Sequence, residues 1–199
     1  MNAQELKIIH VNFSLPETGK NLTSIDNCKF YISDVHLLKS NQTVFNEENS
    51  FHLIDLLKEN YSFSFKLPPT VDFDQIQFTL SIDSLTNVSG ALDGDLDPTK
   101  GMYWAWQSGY INFKLEGQDP QSPARDNQFQ FHLGGYLPPF LAAQKITMNC
   151  KSLDVISIEF DAYEFLKTID LSELNTVMSP GQNAVDLSKQ CALYFSIIE

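Results

Sequence analysis

The sequence predicts a mainly β protein, an antiparallel two-sheet β-sandwich with a few short helices. Three observations carry this expectation: period-two alternation of apolar and polar residues recurs in about ten segments, turn-forming stretches separate them, and runs with helical spacing are few. The 199 residues are enough to bury a sizeable core, and no linker, repeat or low-complexity tract interrupts them. One domain over 1–199 is therefore expected.

In chain order, the alternation runs through LKIIHVNFSL (6–15), CKFYISDVHLL (28–38), YSFSFKL (61–67), DQIQFTLSID (74–83) and YWAWQ (103–107). It continues in YINFKLEG (110–117), NQFQFHLG (127–134), KITMNC (145–150), DVISIEFDAY (154–163) and ALYFSII (192–198). Stretches such as LPETGK, KLPPTVD and EGQDPQSPARDN supply the Pro, Gly, Asp and Asn that turns need. Helical spacing is confined to SFHLIDLLKEN (50–60), AYEFLKTIDLSEL (162–174) and a segment over 179–190, where Ser179 can cap and Pro180 can take the first helical position.

Composition excludes some functions. The net charge is −12 with 19% charged residues, and Lys and Arg form no basic run, which argues against nucleic acid and against an anionic membrane surface. A cation, a sugar or a basic protein partner is compatible with that balance. No apolar run has the length of a membrane span, and the opening MNAQELKII reads as a trimmed or mature start. Cys28, Cys150 and Cys191 show no zinc spacing, so at most one disulfide can form, and buried free thiols are the simpler reading.

Both tryptophans of the chain lie in GMYWAWQSGYINFKLEG (101–117). In an extended segment Met102, Trp104 and Trp106 project to one side, giving a wall of two indoles and a thioether. Such a wall can be sandwich core, a platform that stacks sugars, or a place where the rings themselves are acted upon. His132, in FQFHLGG, falls on the strand face opposite Phe129 and Phe131 at a half-exposed strand end. Gly134 and Gly135 follow it, marking a sharp turn or a close backbone approach. His10, His36 and His52 show no ligand spacing.

Asp93, Asp95 and Asp97 alternate as in the first half of a calcium loop, but Pro98 stands where the EF-hand needs glycine and Trp104 where it needs glutamate. A solvated turn is the simpler reading, with calcium the weaker candidate. No GxSxG, HExxH or glycine-rich phosphate loop is present, so the residues give no support to an enzyme.

The segments FYISDVHLL (30–38), FHLIDLL (51–57), the long block over 76–117 and FQFHLGG (129–135) together resemble the MbnP-like family, named for methanobactin-associated periplasmic copper-binding proteins. The resemblance covers most of the chain, and the central block is similar to a Bacteroidetes-type branch. It implies a secreted or periplasmic β-sandwich, in some members lipid-anchored, that binds one copper ion through histidine beside an oxidised tryptophan. It also implies a partner, a di-haem enzyme related to cytochrome c peroxidases, that carries out the oxidation. Carried over by position, His132 matches the family's histidine in its HLG motif, and Trp104 and Trp106 match its MxWxW block. The three form the implied metal site. The family's Asn-His pair corresponds here to Asn87-Val88, so a second histidine ligand is replaced by valine. The competing expectation is a surface-interaction or carbohydrate-binding module on the same scaffold, with the copper site lost.

Overall fold

The computed structural model describes residues 6–16, 22–58, 61–107 and 109–198. The chain runs through β1 (Lys7–Ser14), the long β2 (Ser24–Lys39), β3 (Gln42–Asn46), β4 (Phe51–Asp55), β5 (Ser62–Leu67) and β6 (Gln75–Leu80) into α1 (Ser84–Val88). Two 3-10 turns, Gly94–Leu96 and Pro98–Lys100, precede β7 (Tyr103–Trp104), β8 (Gly109–Tyr110), β9 (Phe113–Gln118) and β10 (Gln128–Leu133). The small hairpin β11 (Tyr136–Leu137) and β12 (Phe140–Leu141) is followed by β13 (Gln144–Asn149), β14 (Val155–Phe160) and α2 (Ala162–Lys167). The last elements are β15 (Thr176–Val177), α3 (Gln182–Cys191) and β16 (Phe195–Ile198).

Of these strands, β7–β8 and β11–β12 pair as separate two-stranded sheets, while the other twelve form two large sheets. One has the order β16-β14-β1-β5; the other is β13-β6-β2-β9-β10-β15, with β3 and β4 also paired to β2. The ladders are antiparallel, as alternation predicts, except that β1 pairs with β14 and β10 with β15 in parallel. Both parallel pairs join strands far apart in sequence, a relation that local periodicity does not encode.

The main core lies between the sheets. Phe13 of β1 meets Phe30 of β2 edge-on at 5.4 Å, and Phe113 of β9 meets Phe160 of β14 at 5.2 Å. Phe30 and Ile32 belong to this core, whereas Tyr31 between them belongs to a second cluster with Leu53, Ile82, Leu96, Met102, Trp104, Tyr110 and Ile111. Because successive side chains of a strand point to opposite faces, this second cluster covers the outer face of the larger sheet, beneath the excursion from α1 to β8. Full burial of a large apolar side chain is worth roughly 1.5–3 kcal/mol, so these eight residues hold the excursion firmly to the sheet.

Several helical expectations change. The segment 50–60 contains no helix among its described residues. Instead Phe51–Asp55 is a strand, with Leu53 in the second cluster and Ile54 in the main core. Burial on both faces erases the alternation that marks a strand with one wet face. The helix expected over 162–174 is confined to Ala162–Lys167, capped by the Asp161 side chain, which accepts from the Glu164 amide at 2.9 Å. The helix expected over 179–190 starts at Gln182 with Gly181 as its N-cap, so Ser179 and Pro180 lie before it. The five-residue α1, capped by Asp83, falls in a region where no helix was expected.

Candidate functional site

The outer face of the larger sheet carries a polar grid beside the second cluster. Cross-strand register puts Asn27, Glu116 and Gln130 in one row and Lys29, Lys114 and His132 in the next, on β2, β9 and β10. His132 is 7% exposed, more enclosed than its expected half-exposed strand end. Its Nε2 lies 2.6 Å from Glu116 Oε1, while Glu116 Oε2 accepts from Asn27 Nδ2 at 2.8 Å. These two hydrogen bonds, the His132 bond first, hold the Glu116 carboxyl at about 2, against the desolvation that would raise it. An ionised carboxylate is acceptor only, so His132 Nε2 carries the proton and Nδ1 is the nitrogen left for any ligand.

The two lysines act as tethers. Lys114 Nζ donates to the Gly101 carbonyl at 2.6 Å, and Lys29 Nζ pairs with Asp55 at 3.1 Å. Burial lowers the Lys114 ammonium below its ordinary range. Lys114 thereby fastens the residue that leads into Met102 and β7.

The tryptophan wall forms only in part. Met102 is fully buried and Trp104 is 5% exposed, but the chain turns after β7, with the Gln107 amide donating to the Trp104 carbonyl at 3.3 Å. Trp106 therefore lies 67% exposed, its ring still against Trp104 at 6.2 Å between centroids. Trp104 packs on Gly134, two residues beyond His132. A Cβ at Gly134 would come within 2.7 Å of Trp104 Cζ3 and 2.8 Å of the Tyr110 carbonyl oxygen. The close approach expected at this glycine is thus the seat of the indole. Trp104 Nε1 and Asn112 Nδ2 are buried donors without a hydrogen-bond partner among the described residues.

Asn87 locks α1 onto this layer, accepting from the Tyr110 amide at 2.9 Å and donating to the carbonyls of Ile82 and Asp83. Val88, next to it, is 65% exposed. Glu116 is not marked by the sequence reading, and Asn87 enters it only through its correspondence with the family's Asn-His pair. The alternation in INFKLEG does put Lys114 and Glu116 on the face of His132, whereas nothing local marks Asn87.

As encoded, the residues do not fit a copper ion. Among the described residues no three His, Cys, Asp or Glu side chains converge. His132 offers one nitrogen, and the ammonium groups of Lys29 and Lys114 share its row. The Asp93, Asp95 and Asp97 run does not gather around a cation either. Asp95 accepts from Lys100 Nζ at 2.7 Å and the Leu53 amide at 3.1 Å, and Asp97 caps the next turn through the Thr99 amide. Cys28, Cys150 and Cys191 are free thiols, and burial pushes Cys150 up to about 11. Among the described residues no helix is long and apolar enough to cross a membrane.

The family model MbnP matches residues 2–179. A solved structure, MbnP from Methylosinus trichosporium, is similar over 89% of this chain and 82% of its own, with a TM-score of 0.60 and 15% sequence identity, a likeness of fold. No curated protein sequence matches the chain.

Proposed function

This chain belongs to the MbnP family, and we propose that it is a secreted or periplasmic, non-catalytic binding protein whose centre is Trp104 beside His132. In this reading a partner di-haem enzyme oxidises Trp104, and the oxidised ring supplies the donor that the encoded side chains lack. His132, through Nδ1, then serves as the nitrogen ligand for copper, an ion well suited to imidazole. The observation that carries the reading is the Trp104 indole seated on Gly134, at the end of the strand bearing His132, with its Nε1 buried and unpartnered among the described residues. Glu116 has the role of the hydrogen-bonded carboxylate that orients a ligating imidazole.

Peptide mass spectrometry of protein produced together with its di-haem partner tests this. Added oxygen on Trp104, with copper retained after gel filtration, is the expected result. An unmodified peptide in protein from the native source would overturn it. A second reading, a surface-interaction module, is favoured by one observation, the 67% exposure of Trp106.

A further inference from the structure

We propose that Trp106 is the electron port of Trp104: a one-electron oxidant at the surface takes an electron from the exposed indole, and the buried indole refills it. This rests on the reading of Trp104 as the oxidised ring and adds the route by which an oxidant reaches it.

Trp104 is enclosed by Gly134 on one side and by the second cluster, so a bulky redox centre on another protein cannot touch it. Trp106 is open to solvent, and its ring centre lies 6.2 Å from that of Trp104 with the planes at 53°. Electron transfer falls off exponentially with separation, and no described ring offers both such exposure and such contact with Trp104. The buried tyrosines of the cluster do not compete. Tyr110 donates its hydroxyl to the Leu96 carbonyl at 2.8 Å and Tyr31 to the Asp95 carbonyl at 3.0 Å. A phenol must shed its proton to be oxidised easily, and a carbonyl oxygen is not a base that takes it; burial raises both hydroxyls further. Neither Tyr31 nor Tyr110 therefore drains the electron deficiency from the indole pair.

The step balances as two single-electron exchanges. Trp106 gives one electron to the oxidant, a haem iron in a high oxidation state or an equivalent metal complex, which is reduced by one unit. The Trp106 radical cation then takes one electron from Trp104 and returns to a closed shell, leaving the radical cation on Trp104. No bond forms or breaks, and Trp104 Nε1, with no acceptor among the described residues, keeps its proton through the exchange.

The test uses the full chain in aerated buffer mixed in the dark with chemically prepared tris(bipyridine)ruthenium(III), a one-electron outer-sphere oxidant that needs no biological partner. Oxygen adducts are assigned to position by fragmentation mass spectrometry. Wild type should gain oxygen at Trp104, Trp106→Phe should lower that yield at least tenfold, and Trp106→Tyr should restore a large share, since an exposed phenol loses its proton to water. Unfolding midpoints equal to wild type in both variants show that the layer is intact. Equal Trp104 oxidation in wild type and Trp106→Phe overturns the relay, as does an absence of Trp104 adducts in wild type while Trp106 is oxidised. Neither result depends on the partner-made modification, so the two readings fail separately.

Discussion

His132 Nε2 lies 2.6 Å from Glu116 Oε1, two residues out of register across the β9–β10 ladder. This diagonal contact fixes which ring nitrogen is protonated and leaves Nδ1 as the only nitrogen for a ligand.

The first prediction concerns Glu116. Its carboxyl is lowered from an ordinary value of 4.5 to about 2, so the charge contributes stability that is present above 4.5 and lost as pH falls toward 2. Glu116→Gln should cost about 1 kcal/mol at pH 7, after allowance for its partial exposure to solvent. The difference between the two proteins should shrink through that window in urea unfolding at stepped pH. A constant difference down to pH 2 would assign the loss to packing instead.

Gly134→Ala places a methyl group against the Trp104 ring and the Tyr110 carbonyl oxygen. A destabilisation of roughly 1–3 kcal/mol is expected, because one of the clashing atoms is backbone and cannot swing away. Tryptophan emission should shift to the red as Trp104 is displaced. Unchanged emission and stability would mean that the indole is seated elsewhere.

Asn87→Ala removes the side chain that accepts from the Tyr110 amide inside the layer. Leaving that buried amide unpaired should cost about 1–3 kcal/mol. Faster hydrogen exchange at Tyr110, with the main core still protected, is the signature to look for, and uniform exchange across both would contradict a local role.

For copper, His132→Ala should lower Cu(I) affinity by at least about tenfold in protein carrying oxidised Trp104, read by titration against a competing chelator. Equal affinity would remove His132 from the site. Val88→His tests the correspondence with the family's Asn-His pair. Because Val88 is 65% exposed, the change should alter stability by no more than about 0.5 kcal/mol. Cu(I) affinity should rise, and the gain should vanish with His132→Ala. A folded variant with unchanged affinity means that positions 88 and 132 do not converge.

Much of this fold is legible in local sequence. Alternation located β1, β2, β5, β6, β10, β13 and β14 to within a few residues, because each has one face on a packed core and the period of a strand is two. Segment 51–55 was not legible as a strand. Its residues are buried on both faces, and an apolar run without alternation serves a helix equally well. Trp106 misled for a different reason: alternation assumes that the chain continues extended, and the turn after Trp104 depends on β8 returning alongside β7.

By itself the sequence determined the class of fold, the family, and the strand segments that carry Trp104 and His132. All of these depend on the order of residues along one strand or one block. Only the tertiary structure decided that Glu116 and Asn27 hold His132, that Gly134 seats Trp104, that two strand pairs run parallel, and that one indole is buried while its neighbour faces water. Each of those is a contact between residues brought together by sheet register or by an excursion folding back on a sheet. Such pairings are chosen by the packing of the whole core, and no local periodicity carries them.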